Sequence, residues 1–320
     1  MEFADLKNDF VFRRIFGTHP DILRTLLNDL LERSGPQTIE RVEYLPSEQM
    51  PMVLGAKLSI LDVRCKDRAG TTFVVEMQLI HVPGFINRVV YNACKAYVGQ
   101  LRASERYSKL ADVVAISICD FELWPDAEQD REGLPRMPML SRWNMVERSS
   151  GNHGLLQVQY AFLELPKLTE PPPDTGAGRW AWLFVHAPEL PDLPANLWAG
   201  PYREALELAN KASFTRQELD AYEKVIDEIQ QVRDLVEAKT AEGEARGEAR
   251  GEARGEARGE VRGEVRGRVQ AILKVLEARR IAVGETVRAQ IEGCQSVETL
   301  DLWIARSAVA SSAEDVVKEP

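Results

Sequence analysis

The chain has 320 residues, of which 44% are hydrophobic, enough for one sizeable globular domain with an appendage. Its formal net charge of −10 argues against a protein that coats nucleic acid by overall electrostatic attraction, although a local basic groove would still permit DNA binding. The four cysteines show no paired spacing and the four histidines are dispersed, so we expect a cytoplasmic protein with reduced thiols, no zinc cluster and no membrane partner.

Two amphipathic helices are predicted at the start of the chain, over residues 5–16 and 21–33. Gly17 is expected to end the first helix. A strand follows around residues 39–45, before a proline-bearing loop. These elements precede the segment that carries the most chemical information.

That segment, residues 59–78, reads as two strands joined by a turn. Gly70 can adopt the left-handed conformation that closes a three-residue loop over residues 68–70. This loop pairs positions that sum to 138, which places Asp62 directly across from Glu76, with Gln78 on the same face. The opposite face is predicted to be apolar and to look into the core: Leu61, Val63 and Cys65 against Phe73, Val75 and Met77.

Two carboxylates facing each other across a strand pair repel, so Asp62 and Glu76 require a compensating cation. Carboxylate and amide oxygens are hard donors, which suit Mg²⁺ or Mn²⁺ better than zinc. The alternative is an ordinary hairpin in which Asp62 pairs with Lys57 or Arg64 and Glu76 is merely solvated. The residues alone leave both interpretations open.

Further elements complete an α/β or α+β pattern. A helix is predicted over residues 85–103, a buried strand over 113–121, and another strand over 155–165. A proline-rich loop covers 166–175, and helices resume near Trp180 and from Pro201. The order of these elements predicts a mixed sheet flanked by helices.

The motifs in this order resemble those of a known family. They are KNDFVFRRIFG at 7–17, ILDVR at 60–64, VEMQ at 75–78 and RVVYNACKAY at 88–97. Together they resemble the recombination-promoting nuclease / putative transposase family of the PD-(D/E)XK nuclease superfamily, over residues 5–230. The resemblance implies a restriction-endonuclease-like fold and an Mg²⁺-dependent DNA endonuclease. The competing hypothesis is a catalytically silent scaffold that acts in interaction or self-assembly.

The resemblance also implies roles for individual residues. Asp62 and Glu76 would be metal ligands, and Gln78 stands where the superfamily has a lysine. Gln78 cannot carry a positive charge. Arg88, Lys95 and Arg102 recur every seven residues on the next predicted helix, and either Arg88 or Lys95 could supply the charge, the alternative being a solvated basic stripe.

Asp9, on the first helix, is a third candidate metal ligand, because in this fold that helix packs near the active edge. The alternative is that Asp9 only caps or braces the helix.

The tail has a different composition. Residues 241–268 repeat Gly-Glu-Ala/Val-Arg, so that like charges stack four residues apart and each glycine weakens the helix. The pattern predicts either a stalk that forms a homo-oligomer or a frayed spacer. We therefore predict a nuclease-like domain over 1–235, a repeat linker over 236–268, a small helical module over 269–310 and a disordered tail over 311–320.

Overall fold

A six-stranded mixed sheet forms the centre of the first of two units, Met1–Arg233; the second unit is Asp234–Pro320. The computed structural model describes residues 2–49, 59–102, 104–192 and 199–318. The predicted mixed sheet with flanking helices is confirmed. The predicted domain boundary, after residue 235, lies two residues beyond the observed one.

The sheet combines antiparallel edges with a parallel centre. Its strands, given in chain order together with a separate two-stranded pair β2–β3, are β1 (Val42–Tyr44), β2 (Glu48–Gln49), β3 (Ser59–Ile60), β4 (Val63–Asp67), β5 (Thr72–Gln78), β6 (Val113–Cys119), β7 (Leu140–Met145) and β8 (Leu155–Glu164). The spatial order is β1-β4-β5-β6-β8-β7, with β5, β6 and β8 parallel. The sequence pattern missed β7, whose residues after Ser141 are exposed and lack the alternation of a half-buried strand.

Helices lie on both faces of this sheet, and a longer one follows. They are α1 (Asp9–Phe16), α2 (Pro20–Leu30), α3 (Phe85–Val98), α4 (Asp126–Glu132), α5 (Gly176–His186), α6 (Pro201–Leu208) and α7 (Arg216–Ala278). Helix α1 starts later than predicted because Asn8 caps it, accepting hydrogen bonds from the backbone N–H groups of Phe10 and Val11. Helix α3 ends at Val98, so Arg102 lies beyond it and does not share a helical face with Arg88 and Lys95.

Two apolar clusters sandwich the central strand. Phe73, Val75 and Met77 of β5 join the cluster that includes α1, α2, α5 and α6, whereas Val74 packs on the opposite face with α3. Leu61 also belongs to the α3 cluster. Its predicted grouping with Val63 and Cys65 is therefore wrong, because the chain bends at Asp62 before β4 begins.

The predicted hairpin register is confirmed. Val63 pairs with Val75 and Cys65 with Phe73, both pairs summing to 138. Gly70 has a φ of 92°, the left-handed conformation that the loop requires. Residues Asp67 and Thr71 close the turn, since the Asp67 N–H donates to the Thr71 carbonyl at 3.1 Å and the Thr71 N–H donates to Asp67 Oδ1 at 2.9 Å.

The second unit has an apolar core of its own. The end of α7 packs with α8 (Glu285–Gly293), α9 (Val297–Ser307) and α10 (Ala313–Val317) around Ile272, Ile291 and Leu300. The expectation of a disordered tail is wrong for residues 313–317, because Ser312 caps α10 and Val316 is fully buried. Glu319 and Pro320 lie outside the described residues.

The repeat belongs to α7, a helix of 63 residues. Its described side chains from Arg233 to Glu264 are exposed. Among the helices that the structure describes, none combines the length and apolar character that a membrane crossing requires.

Candidate functional site

Asp62 lies at the bend that leads into β4, at the edge of the sheet nearest α1. Its Oδ2 accepts a hydrogen bond from the backbone N–H of Met77 at 2.8 Å, and its Oδ1 accepts one from Arg13 Nη2 at 3.0 Å. The side chain is only 11% exposed. The ion-pair partner in the structure is thus Arg13 and not Arg64; Lys57, the other expected partner, lies outside the described residues.

Asp9 opens α1 and lies beside Asp62. Arg13, one helical turn later, contacts Asp9 Oδ2 at 3.3 Å as well as Asp62. Burial, the Asp62 charge and a hydrogen bond with Asp62 raise the pKa of Asp9 to about 6, against the lowering effect of Arg13. The two carboxyl groups therefore crowd each other, and one guanidinium offsets their repulsion only in part.

Glu76 is buried in the middle of the sheet. The observed pairing of β4 with β5 ends at Val63 and Val75, so the placement of Asp62 across from Glu76 stays a prediction. Asn92, on α3, donates from Nδ2 to Glu76 Oε1 at 2.9 Å. Burial raises the pKa of the Glu76 carboxyl, while the charge of Arg88 and the Asn92 hydrogen bond lower it.

Gln78 ends β5 and faces the same helix as Glu76. Arg88 Nη2 donates to Gln78 Oε1 in a short hydrogen bond. The guanidinium also lies 5.6 Å from the centroid of the Phe85 ring, and its Nε is buried without a hydrogen-bond partner. A permanent positive charge thus lies directly against Gln78, the residue that the resemblance places at the superfamily's lysine position.

A cavity of about 380 Å³ brings these groups together. Asp9, Asp62, Gln78 and Arg88 line it, along with Lys7. Helix α7 supplies part of the remaining wall through Val225, Glu228, Ile229 and Val232. Glu76 does not line the cavity and is only 6% exposed.

Lys95 is not brought to this cavity. It lies two turns beyond Arg88 on α3, and its Nζ is 5.8 Å from the ring centroid of Tyr91. The walls of the cavity do not include it. Of the two cations predicted to compensate for Gln78, the geometry favours Arg88.

Three contributors were missed from the sequence. Arg13 and Asn92 could have been found, because each lies four residues after a recognised candidate, Asp9 and Arg88, and so shares its helical face. Lys7 donates to both oxygens of Asp120, at 3.2 and 3.1 Å, across 113 positions of sequence. No local pattern signals such a pair.

The donor set fits a hard divalent cation by its chemistry. Across the part of the chain that the structure describes, no group of three or more His, Cys, Asp or Glu side chains is arranged to hold a metal ion. The crowded carboxyls of Asp9 and Asp62 nevertheless provide oxygen donors with uncompensated repulsion, which a divalent ion would relieve.

Comparison with known proteins adds one match. The family model described as PD-(D/E)XK nuclease family transposase matches residues 6–238, well over half of the chain. No curated protein and no solved structure matches it. The match confirms the resemblance drawn from the motifs at 7–17, 60–64, 75–78 and 88–97. It ends within α7, so it leaves unmatched the repeat and all of the second unit after residue 238.

Proposed function

The chain belongs to the PD-(D/E)XK nuclease family of transposases, and on that premise we propose that it is an Mg²⁺-dependent DNA endonuclease that hydrolyses phosphodiester bonds and promotes recombination. The observation that carries this proposal is the cavity in which the Asp9 and Asp62 carboxyls meet Arg88. Acids that can hold a cation, and a guanidinium suited to phosphate, both serve metal-assisted phosphodiester hydrolysis.

We assign metal binding to the acidic residues. Asp62 and Glu76 would hold Mg²⁺, or Mn²⁺ in its place, and Asp9 would contribute from α1. When bound, such an ion lowers the pKa of a coordinated water and offsets the charge on the attacked phosphate. Asn92 holds the Glu76 carboxylate in one orientation, and the Met77 N–H does the same for Asp62.

Arg88 is assigned the role of the missing lysine. Its guanidinium is fixed by Gln78 and borders the cavity, where it would stabilise negative charge that develops on the phosphate. Gln78 then acts by positioning Arg88. Lys95 remains a weaker candidate because its ammonium contacts Tyr91.

A second function is favoured by one observation. Gln78 is uncharged, and Arg13 already occupies the oxygens of Asp62 and Asp9 that a metal would use. A family member that had lost catalysis would have these features. The alternative is therefore a silent nuclease-fold scaffold that acts through its C-terminal tail.

We also propose that the chain forms a homo-oligomer through this tail and works in the cytoplasm. The exposed repeat of α7 contains glycines, each of which costs an isolated helix about 1 kcal/mol relative to alanine, so a partner helix would stabilise it. All four cysteines are free, as expected in a reducing compartment.

A plasmid-nicking assay tests the enzyme proposal. The wild-type chain is compared with Asp62→Ala and Glu76→Ala in Mg²⁺, Mn²⁺ or EDTA, and Glu43→Ala removes a matched carboxylate on β1 that is ion-paired with Lys66 outside the cavity. We expect metal-dependent nicking by wild type and Glu43→Ala, and none by the other two. Nicking that survives in both site variants, or a folded wild type that never nicks DNA, would reject the proposal.

A further inference from the structure

Lys7 is a cation in the candidate site that neither the motif nor the family match assigns. It lies just before α1 and borders the same cavity as Asp9, Asp62, Gln78 and Arg88. Its side chain is 16% exposed, which is unusually buried for a lysine. A lysine buried to this degree beside the candidate site requires a structural explanation.

The backbone around Lys7 is anchored on both sides. The Lys7 N–H donates to Asp5 Oδ1 at 2.9 Å, and the Asp5 N–H donates to the hydroxyl of Tyr222 at 3.2 Å. On the other side, Asn8 caps α1 and donates from Nδ2 to the Tyr222 carbonyl at 3.3 Å. The backbone of Lys7 is therefore held in a fixed turn, which restricts the positions that its side chain can reach in the cavity.

The ammonium of Lys7 is also held in place. It donates to both carboxylate oxygens of Asp120, the residue that follows β6. The Asp120 N–H in turn donates to the backbone carbonyl of Gln78 at 2.8 Å. Lys7 is thus coupled to the end of β5, beside the position where the superfamily carries its strand lysine.

We propose that Lys7 binds a phosphate oxygen of the DNA substrate, with Asp120 as its positioning residue. The inference rests on the proposed function and adds a second cation to Arg88. An ammonium has three N–H donors, and the two hydrogen bonds to Asp120 use two of them; Asp5 Oδ2, at 4.0 Å, is beyond hydrogen-bond distance, so a phosphate oxygen could accept from the third. Asp120 orients the ammonium by accepting both of these hydrogen bonds.

The alternative is that the Lys7–Asp120 pair only fastens the N-terminal segment to the sheet. Lys211 provides a matched control for that role. Its Nζ contacts Glu2 Oε1 at 2.5 Å, so it also fastens the N-terminal segment, but it does not line the cavity. A purely structural pair and a phosphate ligand differ in the salt dependence of DNA binding.

The experiment measures binding of the full chain to a labelled DNA duplex in EDTA over a range of salt concentrations, and nicking in Mg²⁺. We expect Lys7→Met to reduce the slope of log K against log salt by about 0.9, the value for one lost phosphate contact. Nicking should fall by about 100-fold, as for other single donors to a developing anion. Lys7→Arg should keep the slope, and Lys211→Met should change neither quantity.

Asp120→Asn tests the positioning role. If Asp120 acts only through Lys7, the double variant Lys7→Met/Asp120→Asn should nick DNA no more slowly than Lys7→Met. The double variant also removes the carboxylate that loses its lysine partner in Lys7→Met, so it supplies the salt slope if Lys7→Met does not fold.

A wild-type slope and nicking rate in folded Lys7→Met, or in the double variant, would overturn the inference while the proposed function stands. Loss of nicking in Asp62→Ala alongside an unaltered Lys7→Met gives that separation directly. A wild-type chain that neither binds nor nicks DNA would remove both proposals.

Discussion

The guanidinium of Arg13 binds the carboxylate of Asp62 at 3.0 Å. The same guanidinium reaches Asp9 at 3.3 Å. Arg13 therefore acts as an internal cation for two acids that would otherwise repel each other. Any divalent ion must compete with it.

Replacing Arg13 should strengthen metal binding. We expect Arg13→Gln to bind Mn²⁺ about 3- to 10-fold more tightly in calorimetry, because a nearby positive charge in a solvated site is worth on the order of 1 kcal/mol. Without metal the variant should lose at most about 1 kcal/mol of unfolding free energy, since Arg13 is 44% exposed. Arg24→Gln breaks a comparable pair with Asp21 on α2 and should leave the affinity unchanged. Equal or weaker binding by Arg13→Gln would contradict the competition.

The raised pKa of Asp9 predicts a pH-dependent stability in EDTA. The folded chain holds the Asp9 proton up to about pH 6, whereas the unfolded chain releases it near the ordinary value of 3.8. The folded state binds more protons between these values, so stability contributed by protonated Asp9 is present below pH 4 and is lost as the pH rises through 6.

Asp9→Asn should remove that loss. The variant should be more stable than wild type at pH 7.5 by roughly 0.5–1 kcal/mol, a value reduced by solvent screening because the side chain is about half exposed. The advantage should vanish at pH 4. Urea unfolding at the two pH values measures the difference, with Asp21→Asn as an exposed-carboxylate control. An advantage of equal size at both pH values would show that Asp9 crowding is not the cause.

Loss of the Asn92 side chain should destabilise the fold when the buried Glu76 carboxylate is charged. We expect Asn92→Leu to lower the unfolding free energy at pH 8 by about 1–3 kcal/mol, because Glu76 loses a buried donor. The hydrogen bond from Asn92 lowers the pKa of Glu76, so its loss raises that pKa further. The destabilisation should therefore be smaller at acidic pH, where Glu76 becomes neutral.

Asn28→Leu is the control for this measurement. Asn28 Nδ2 donates to the Ile39 carbonyl at 3.0 Å, and the Ile39 N–H donates to Asn28 Oδ1 at 2.8 Å. Neither hydrogen bond involves a carboxylate. The decrease in unfolding free energy caused by Asn28→Leu should therefore be similar at pH 5 and pH 8. Matching pH profiles for the two variants would mean that Asn92 stabilises the fold without acting on Glu76.

Introducing the superfamily's lysine at position 78 should impair nicking unless Arg88 is changed too. Gln78→Lys places an ammonium against the guanidinium of Arg88, whose Nε is already buried without a partner. We expect nicking to drop at least about tenfold in Gln78→Lys and to recover in Gln78→Lys/Arg88→Gln. Arg88→Gln alone should be as impaired as the first variant. A single Gln78→Lys variant that matches or exceeds wild type would refute the charge assignment.

Glycine in the repeat can be tested through two opposite effects. A Cβ at Gly251, Gly255 or Gly259 would meet nothing within 4 Å in the chain. The triple alanine variant should gain about 1 kcal/mol of helix stability per site, seen as helicity by circular dichroism. Self-association should weaken in light scattering if a partner helix approaches through these glycines. Raised helicity with unchanged association would reject the role of glycine in pairing.

The register of the hairpin was predictable because a turn that requires Gly70 and strict alternation act over short distances. Those signals correctly predicted the pairing of Val63 with Val75 and of Cys65 with Phe73. They failed at Leu61, since alternation does not survive the bend at Asp62 that precedes β4.

Contacts between distant segments were beyond reach. Lys7 meets Asp120 because the fold brings the segment before α1 to the residue that follows β6, and nothing in either segment encodes the other. Helix α10 was likewise missed, because its five residues are too short for periodicity and are stabilised by the apolar cluster of the second unit.

The repeat within α7 makes the length of that helix adjustable in units of four residues. One Gly-Glu-Ala-Arg unit adds about 6 Å of axial rise and about 40° beyond a full turn. The described repeat side chains from 243 to 264 are exposed, and the glycines have open space around them, so an added or deleted unit would require no repacking of either apolar core. A tandem repeat of this kind allows the spacing along the helix to vary between related chains through gain or loss of whole units, while the residues of the cavity keep their identities and contacts.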